Sequence, residues 1–267
     1  MNNKDLISQY VDTGVGIPEY QYNKLSPNDK KTYLRKMEMM IERKKANIEY
    51  YYGELPEKTQ LDAVNLEPNL LEFIQNPSET VQIAAIKIDS HSIRHIKNPS
   101  ETVQIAAIKK NGRAIRYIDN PSEKLKWLAI NQTVGALEVM KNPSEKMKLF
   151  CVKENGYTIQ YIDNPSYELQ LVAVNEEGLA IQYIQNPTHE LQLISVNQNG
   201  ESLEFIDNPD EEVQLAAVNQ NGDSIGWIDN PSEKVQLAAV QQNDDVIEYI
   251  DYPTDRVKAL HKQLYGK

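Results

Sequence analysis

Hydrophobic positions along this chain recur in a short block. Val213-Gln214-Leu215-Ala216-Ala217-Val218 is apolar on more than one side, and a weaker pair, Ile225 and Ile228, follows at a spacing of three. A helix that is apolar beyond one face is one packed between two neighbours and a second layer. The pattern predicts a first helix of about ten residues and a shorter second one, Ser224 to Asp229, carrying Ile225 and Ile228 inward. Two helices in so short a block leave little room, so the second is expected to be partly a 3₁₀ turn.

Polar residues punctuate the blocks. Proline stands at Pro77, Pro99, Pro121, Pro143, Pro165, Pro187, Pro209, Pro231 and Pro253, a constant step of 22, and asparagine precedes all but the last, from Asn76 to Asn230. The consensus is close to P-S-E-x-V-Q-L-A-A-V-x-Q-N-G-x-x-I-x-Y-I-D-N. In the block from Pro209, Asn208 is expected as N-cap, with Pro209 at the first helical position and Glu211 at the third, a capping-box arrangement. Asn221-Gly222 is expected to stop the helix, the glycine supplying a left-handed C-terminal cap. Paired alanines, Ala84-Ala85, Ala106-Ala107, Ala216-Ala217 and Ala238-Ala239, are expected to let successive helices approach closely.

A fixed period of this size marks a stacked array in which each unit buries its apolar face only against its neighbours. The fold class is therefore all-α: an α-solenoid of about ten 22-residue two-helix repeats over residues 55–267, behind an N-terminal helical cap over residues 1–54. The consensus fails in places. Pro56 comes one place late, Pro68 replaces the glycine region, Ser90 and His91 stand where Asn-Gly belongs, Gly135 is shifted by one, and Asn243-Asp244 replaces Asn-Gly. The last unit, from Pro253, keeps only its first helix and turns basic and polar, as a terminal cap should. Before the repeats, Asp5 to Val11 reads as a short helix and Gly14 to Pro18 as a loop. Ser26-Pro27-Asn28-Asp29 then opens a long helix to about Tyr52, with Leu34, Met37, Ile41 and Ile48 as its apolar stripe.

Charge narrows the function classes. The chain carries a net charge of −11, which argues against wholesale binding to nucleic acid or to an anionic membrane. Its single cysteine, Cys151, excludes an internal disulfide framework and fits a reducing compartment. No signal-peptide pattern and no membrane-length apolar run is present, so the expected location is the cytoplasm.

Candidate chemistry is sparse. Asp89, His91 and His95 could be imagined around a metal, but His95 occupies a position that is tyrosine in other repeats, so no metal site is assigned. Cys151 falls on an alanine position and reads as a small buried residue rather than a nucleophile. The periodic glycines are helix stops and form no phosphate loop. No catalytic residue and no cofactor is expected.

Two periodic features point to recognition instead. The first is an aromatic ladder at one repeat position: Phe73, His95, Tyr117, Tyr161, Tyr183, Phe205, Trp227 and Tyr249, broken by Val139. Tyrosine at four rungs suggests tips that reach solvent. The second is a division of charge. Pro165 to Tyr252 holds seventeen acidic residues against one basic, a balance of −16; Pro77 to Asn142 holds ten basic against six acidic, a balance of +4. The acids singled out for a basic protein partner are Asp207, Asp223, Asp229, Asp244, Asp245 and Glu248. For nucleic acid, the competing partner, the candidate contacts are Arg94, Lys109, Lys110, Arg113 and Arg116, beside the stackable His95 and Tyr117. A structural or assembly adaptor is the third class.

The block N-P-S-E-x-V-Q-L-A-A-V-x-Q-N-G, from Asn208 to Gly222 and from Asn230 to Asn243, resembles short tandem repeats of bacteriophage-encoded proteins of unassigned function. It is also similar to leucine-rich-repeat-variant solenoids, in which a short α-helix alternates with a 3₁₀-helix. The resemblance covers residues 55–267 and implies architecture, with no shared active site. Small acidic phage proteins often neutralise a host enzyme, so it also implies an inhibitor of a host nuclease or other nucleic-acid-binding protein, a basic surface being the partner.

Overall fold

Each repeat is a ten-residue α-helix followed by a 3₁₀-helix, six residues long in all but the last, as in Glu211–Gln220 and Gly222–Trp227. The computed structural model describes residues 3, 4, 6–8, 17, 19–43 and 56–266, and among them no β-strand occurs. The same pair recurs from Glu57–Leu66 with Pro68–Phe73 to Glu233–Gln242 with Asp245–Tyr249, and Asp255–Tyr265 ends the series. This is the α-solenoid that the period predicts, with a 3₁₀ second helix.

The helix starts two residues later than expected. Asn208 adopts a left-handed φ of 50°, as does every Asn-Pro asparagine from Asn76 to Asn230. Proline disfavours the α region for the residue before it, and asparagine tolerates the left-handed region better than most residues. The cap is the residue after proline: the Asp210 carboxylate accepts from the Val213 N–H at 3.0 Å, and serine or threonine does the same in the other repeats from Ser78 to Thr254. Glu211 is therefore the first helical residue, and Pro209 lies outside the helix.

The asparagine-glycine pair also acts differently from expectation. Asn221 is extended, with φ −145°, and caps the 3₁₀-helix by accepting from the Asp223 N–H. The repeat glycines are not left-handed; among the described glycines only Gly266 is. What they supply is space. A Cβ on Gly112 would lie 2.4 Å from the Ala129 carbonyl oxygen of the next repeat, and one on Gly156 would lie 2.5 Å from that of Ala173. The repeat from Pro77 has Asp89 and Ser90 at this pair, with Asp89 as the cap, which corrects the Ser90-His91 register.

Packing between repeats explains the alanine pair. The second alanine, such as Ala217 or Ala239, is wholly buried where the next repeat closes on it. The first is half-buried, and Leu128, Phe150, Val172 and Ile194 take its place, so only one alanine serves close approach. Ser195 stands at the buried position and donates its hydroxyl to the Gly178 carbonyl at 2.9 Å. Glutamines complete the stack. Gln214 donates to the Pro209 carbonyl at 2.8 Å within its repeat, and Gln132 accepts from the Gly112 N–H of the repeat before at 2.7 Å. Ser100 donates to Glu79 one repeat back at 2.7 Å. Val213, Val218, Ile225 and Ile228 fill the core between the α and 3₁₀ layers.

The described contacts divide the chain into two compact units, Met1–Lys141 and Asn142–Lys267. Within each, successive α-helices pack side by side and successive 3₁₀-helices do likewise. In the first unit, Pro27–Arg43 forms the expected long helix with Leu34 buried; the Met37, Ile41 and Ile48 side chains and the stretch to Tyr52 lie outside the described residues. So do the boundary at residues 54 and 55 and most of the Asp5–Val11 and Gly14–Pro18 segments. Tyr22 is buried, and the nearby Asp62 of the first repeat helix adds to burial in pushing its phenol pKa up. No described helix is long and apolar enough to cross a membrane.

Candidate partner-binding face

The 3₁₀ layer carries the side chains singled out for recognition. In a six-residue 3₁₀-helix the third and fourth residues turn inward, as Ser224 and Ile225 do, leaving the second, fifth and sixth on the surface. Those surface positions hold the aromatic ladder and most of the selected charges.

A fixed register links the second position of one repeat to the aromatic of the next. His91 meets Tyr117 edge-on at 5.7 Å, and Tyr157 meets Tyr183 edge-on at 6.3 Å. The same step of 26 residues pairs Glu201 with Trp227 and Asp223 with Tyr249, and all four line one groove. Together with Glu204 and Gly226 they enclose about 540 Å³. Exposure of the ladder rises towards this groove: Tyr161 is half-buried, Tyr183 and Phe205 are each 38% exposed, Trp227 53% and Tyr249 56%. Glu201 and Glu204 make no ion pair among the described residues, whereas Asp223 accepts from the Asn243 amide at 3.0 Å.

The other selected acids fall in three places. Asp245 and Glu248 are exposed on the last 3₁₀-helix, next to Tyr249. Asp207 and Asp229 are exposed in the bends that lead to the left-handed asparagines. Asp244 is half-buried, its carboxylate oxygen 2.6 Å from Nε2 of His261, so it faces the terminal helix. Sequence reasoning missed Glu201 and Glu204 as site residues; their signal was the 26-residue offset of Glu201 from Trp227 and the place of Glu204 directly before the Phe205 rung, which needs the 3₁₀ geometry to be seen.

On the first unit the 3₁₀ face is basic, but its cations are partly engaged. Arg113 pairs with Glu138 at 2.7 Å, and Arg94 donates to His95 at 2.9 Å and to Asn69 at 3.2 Å. Arg116 lies over Tyr117 at 6.0 Å. Lys109 and Lys110 are exposed at the end of Glu101–Lys110, in the α layer. Asp89, His91 and His95 do not converge: His91 turns back to Asp89 at 2.9 Å, while the His95 ring accepts from Arg94. Burial pushes the His95 pKa down, against the pull of Glu72. Asp89 is drawn up by burial, and the His91 backbone N–H and ring outweigh this to hold it low. Cys151 is fully buried, and burial with Glu154 raises its thiol to about 11. A thiol so protonated is a poor nucleophile.

No family model, curated protein or solved structure matches the chain.

Proposed function

We propose that this chain is a non-enzymatic, protein-binding α-solenoid whose acidic C-terminal repeats engage a basic surface on another protein. The observation that carries this reading is the groove at Glu201, Glu204, Asp223, Trp227 and Tyr249, where exposed aromatic rings stand among carboxylates. Aromatics anchor interfaces, and a field of one sign steers and orients an oppositely charged partner. In its narrower form the protein is a phage-encoded inhibitor in the bacterial cytoplasm. It occupies the nucleic-acid groove of a host enzyme, such as a defence nuclease, with carboxylates in place of phosphates. Support for that form is the charge pattern and the resemblance of the repeats.

The test reverses Glu201, Glu204, Asp223, Asp245 and Glu248 to lysine. Native protein and variant are used to capture partners from nuclease-treated bacterial lysate at moderate salt, read by mass spectrometry. One stoichiometric basic protein, retained by the native chain and lost by the variant, is expected. Equal capture by both overturns the reading.

Arg116 over Tyr117, with Arg94 one repeat away, favours a second reading in which the first unit binds nucleic acid. Labelled single- and double-stranded DNA and RNA at low salt decide it, because a phosphate contact predicts a steep fall in affinity with salt. No shift at low salt disposes of it.

A further inference from the structure

Gly226 is out of place in its repeat. The fifth 3₁₀ position elsewhere carries a long polar side chain, as at Arg116, Gln160, Gln182, Glu204 and Glu248. Neither backbone nor packing demands glycine here. Gly226 has no left-handed φ, and the nearest atom to a Cβ built on it is Tyr249 Cγ at 4.0 Å, an ordinary contact. By contrast, the Gly112 and Gly156 positions are closed to a Cβ. The missing side chain at Gly226 leaves open the space between the Trp227 and Tyr249 rings, the two most exposed rungs of the ladder.

We infer that this opening is a specific pocket for an arginine side chain presented by the partner, with the guanidinium lying against Trp227 or Tyr249 and bonded to Glu201, Glu204 or Asp223. The inference rests on the protein-binding reading above and names the group that reading would recognise. Three properties of the groove select a guanidinium. Its lining includes the aromatic rings of Trp227 and Tyr249, and a planar cation stacks on such rings. Its rim carries three carboxylates, Glu201, Glu204 and Asp223, none of which makes an ion pair among the described residues, and a carboxylate accepts the guanidinium fork through two parallel bonds. Its volume, about 540 Å³, lies within the usual range for sites that enclose small groups. A lysine ammonium carries the same charge but is strongly hydrated and lacks the flat face, so it gains less from the same walls.

Nona-arginine and nona-lysine peptides test this, because they match in charge and length. The reporter is the fluorescence of Trp227 in a Trp127→Leu background, leucine being the residue at that repeat position in Leu149 and Leu215. At 0.15 M salt, nona-arginine is expected to perturb Trp227 and to bind at least about threefold tighter than nona-lysine. Gly226→Gln, which installs the residue of Gln160 and Gln182 without changing charge, should erase that preference and leave nona-lysine binding unchanged. Equal affinities for the two peptides, or an arginine preference that survives Gly226→Gln, overturn the pocket. Failure of the pocket and failure of the wider reading differ. If only the pocket is wrong, both peptides still bind and reversal of the five acids abolishes binding. If the wider reading is wrong, reversal of the acids leaves the captured protein unaffected.

Discussion

His261 Nε2 lies 2.6 Å from the Asp244 carboxylate and 3.2 Å from its backbone carbonyl, joining the last 3₁₀ segment to the terminal helix Asp255–Tyr265. Two departures from the repeat meet there. Asp244 stands at the glycine position, and His261 at the buried alanine of the following helix. At Gly112, Gly156 and Gly200 a Cβ at the first would strike the backbone of the second, so the end of the stack exchanges a steric fit for a polar one. Tyr265 adds a bond to the Val240 carbonyl at 3.0 Å.

Replacing one member of that pair should therefore cost more than replacing both. His261→Ala removes the imidazole from the half-buried Asp244 carboxylate and is expected to destabilise by about 1–3 kcal/mol. The double change Asp244→Gly with His261→Ala restores the repeat consensus and should recover most of the loss. Urea unfolding of the four proteins in a double-mutant cycle gives the coupling. Additive effects would show that the contact contributes nothing.

Glycine substitutions should rank by the space each has. Gly112→Ala and Gly156→Ala force a Cβ to within 2.4–2.5 Å of a backbone oxygen and should cost about 1–3 kcal/mol. Gly222→Ala, with its nearest contact at 3.0 Å, should cost less, and Gly226→Ala should be close to neutral. Thermal midpoints of the four variants give the order.

The asparagine before proline should tolerate glycine better than alanine. Asn164 has a φ of 48°, so Asn164→Ala is expected to cost about 1–2 kcal/mol, and Asn164→Gly much less. Equal costs would mean that the amide, not the backbone angle, is what the position needs.

These three cases show what was legible in the chain. The period and the inward Ile225-Ile228 pair were plain, because spacing alone determines them. The cap was misplaced because Asn-Pro-Ser contains two residues able to cap a helix. The decisive fact is that the chain turns left-handed before the proline and enters the helix only after Asp210 or its serine counterpart. The glycines were assigned a backbone role because their true neighbour, an alanine carbonyl, lies 17 residues further along the sequence. The aromatic ladder was legible, but the groove was not. It depends on which second-position side chain stands beside which ring, and on a side chain absent at Gly226.

Acid should weaken the first unit through His95. Burial lowers its folded pKa, so the unfolded chain binds the proton more readily. Stability from this group is complete above the ordinary histidine value of about 6.5 and is lost as pH falls from there towards the depressed folded value. His95→Tyr, the residue of Tyr117, should remove that part of the pH dependence. Urea midpoints at pH 7.5 and 5.5 for both proteins check it.

The most direct test of the acidic face as a docking surface is hydrogen–deuterium exchange of the chain alone and with its captured basic partner. Protection should concentrate in the 3₁₀-helices Gly200–Phe205, Gly222–Trp227 and Asp245–Tyr249. Protection confined to the α layer, or to Ser90–His95 and Gly112–Tyr117 of the first unit, would contradict it.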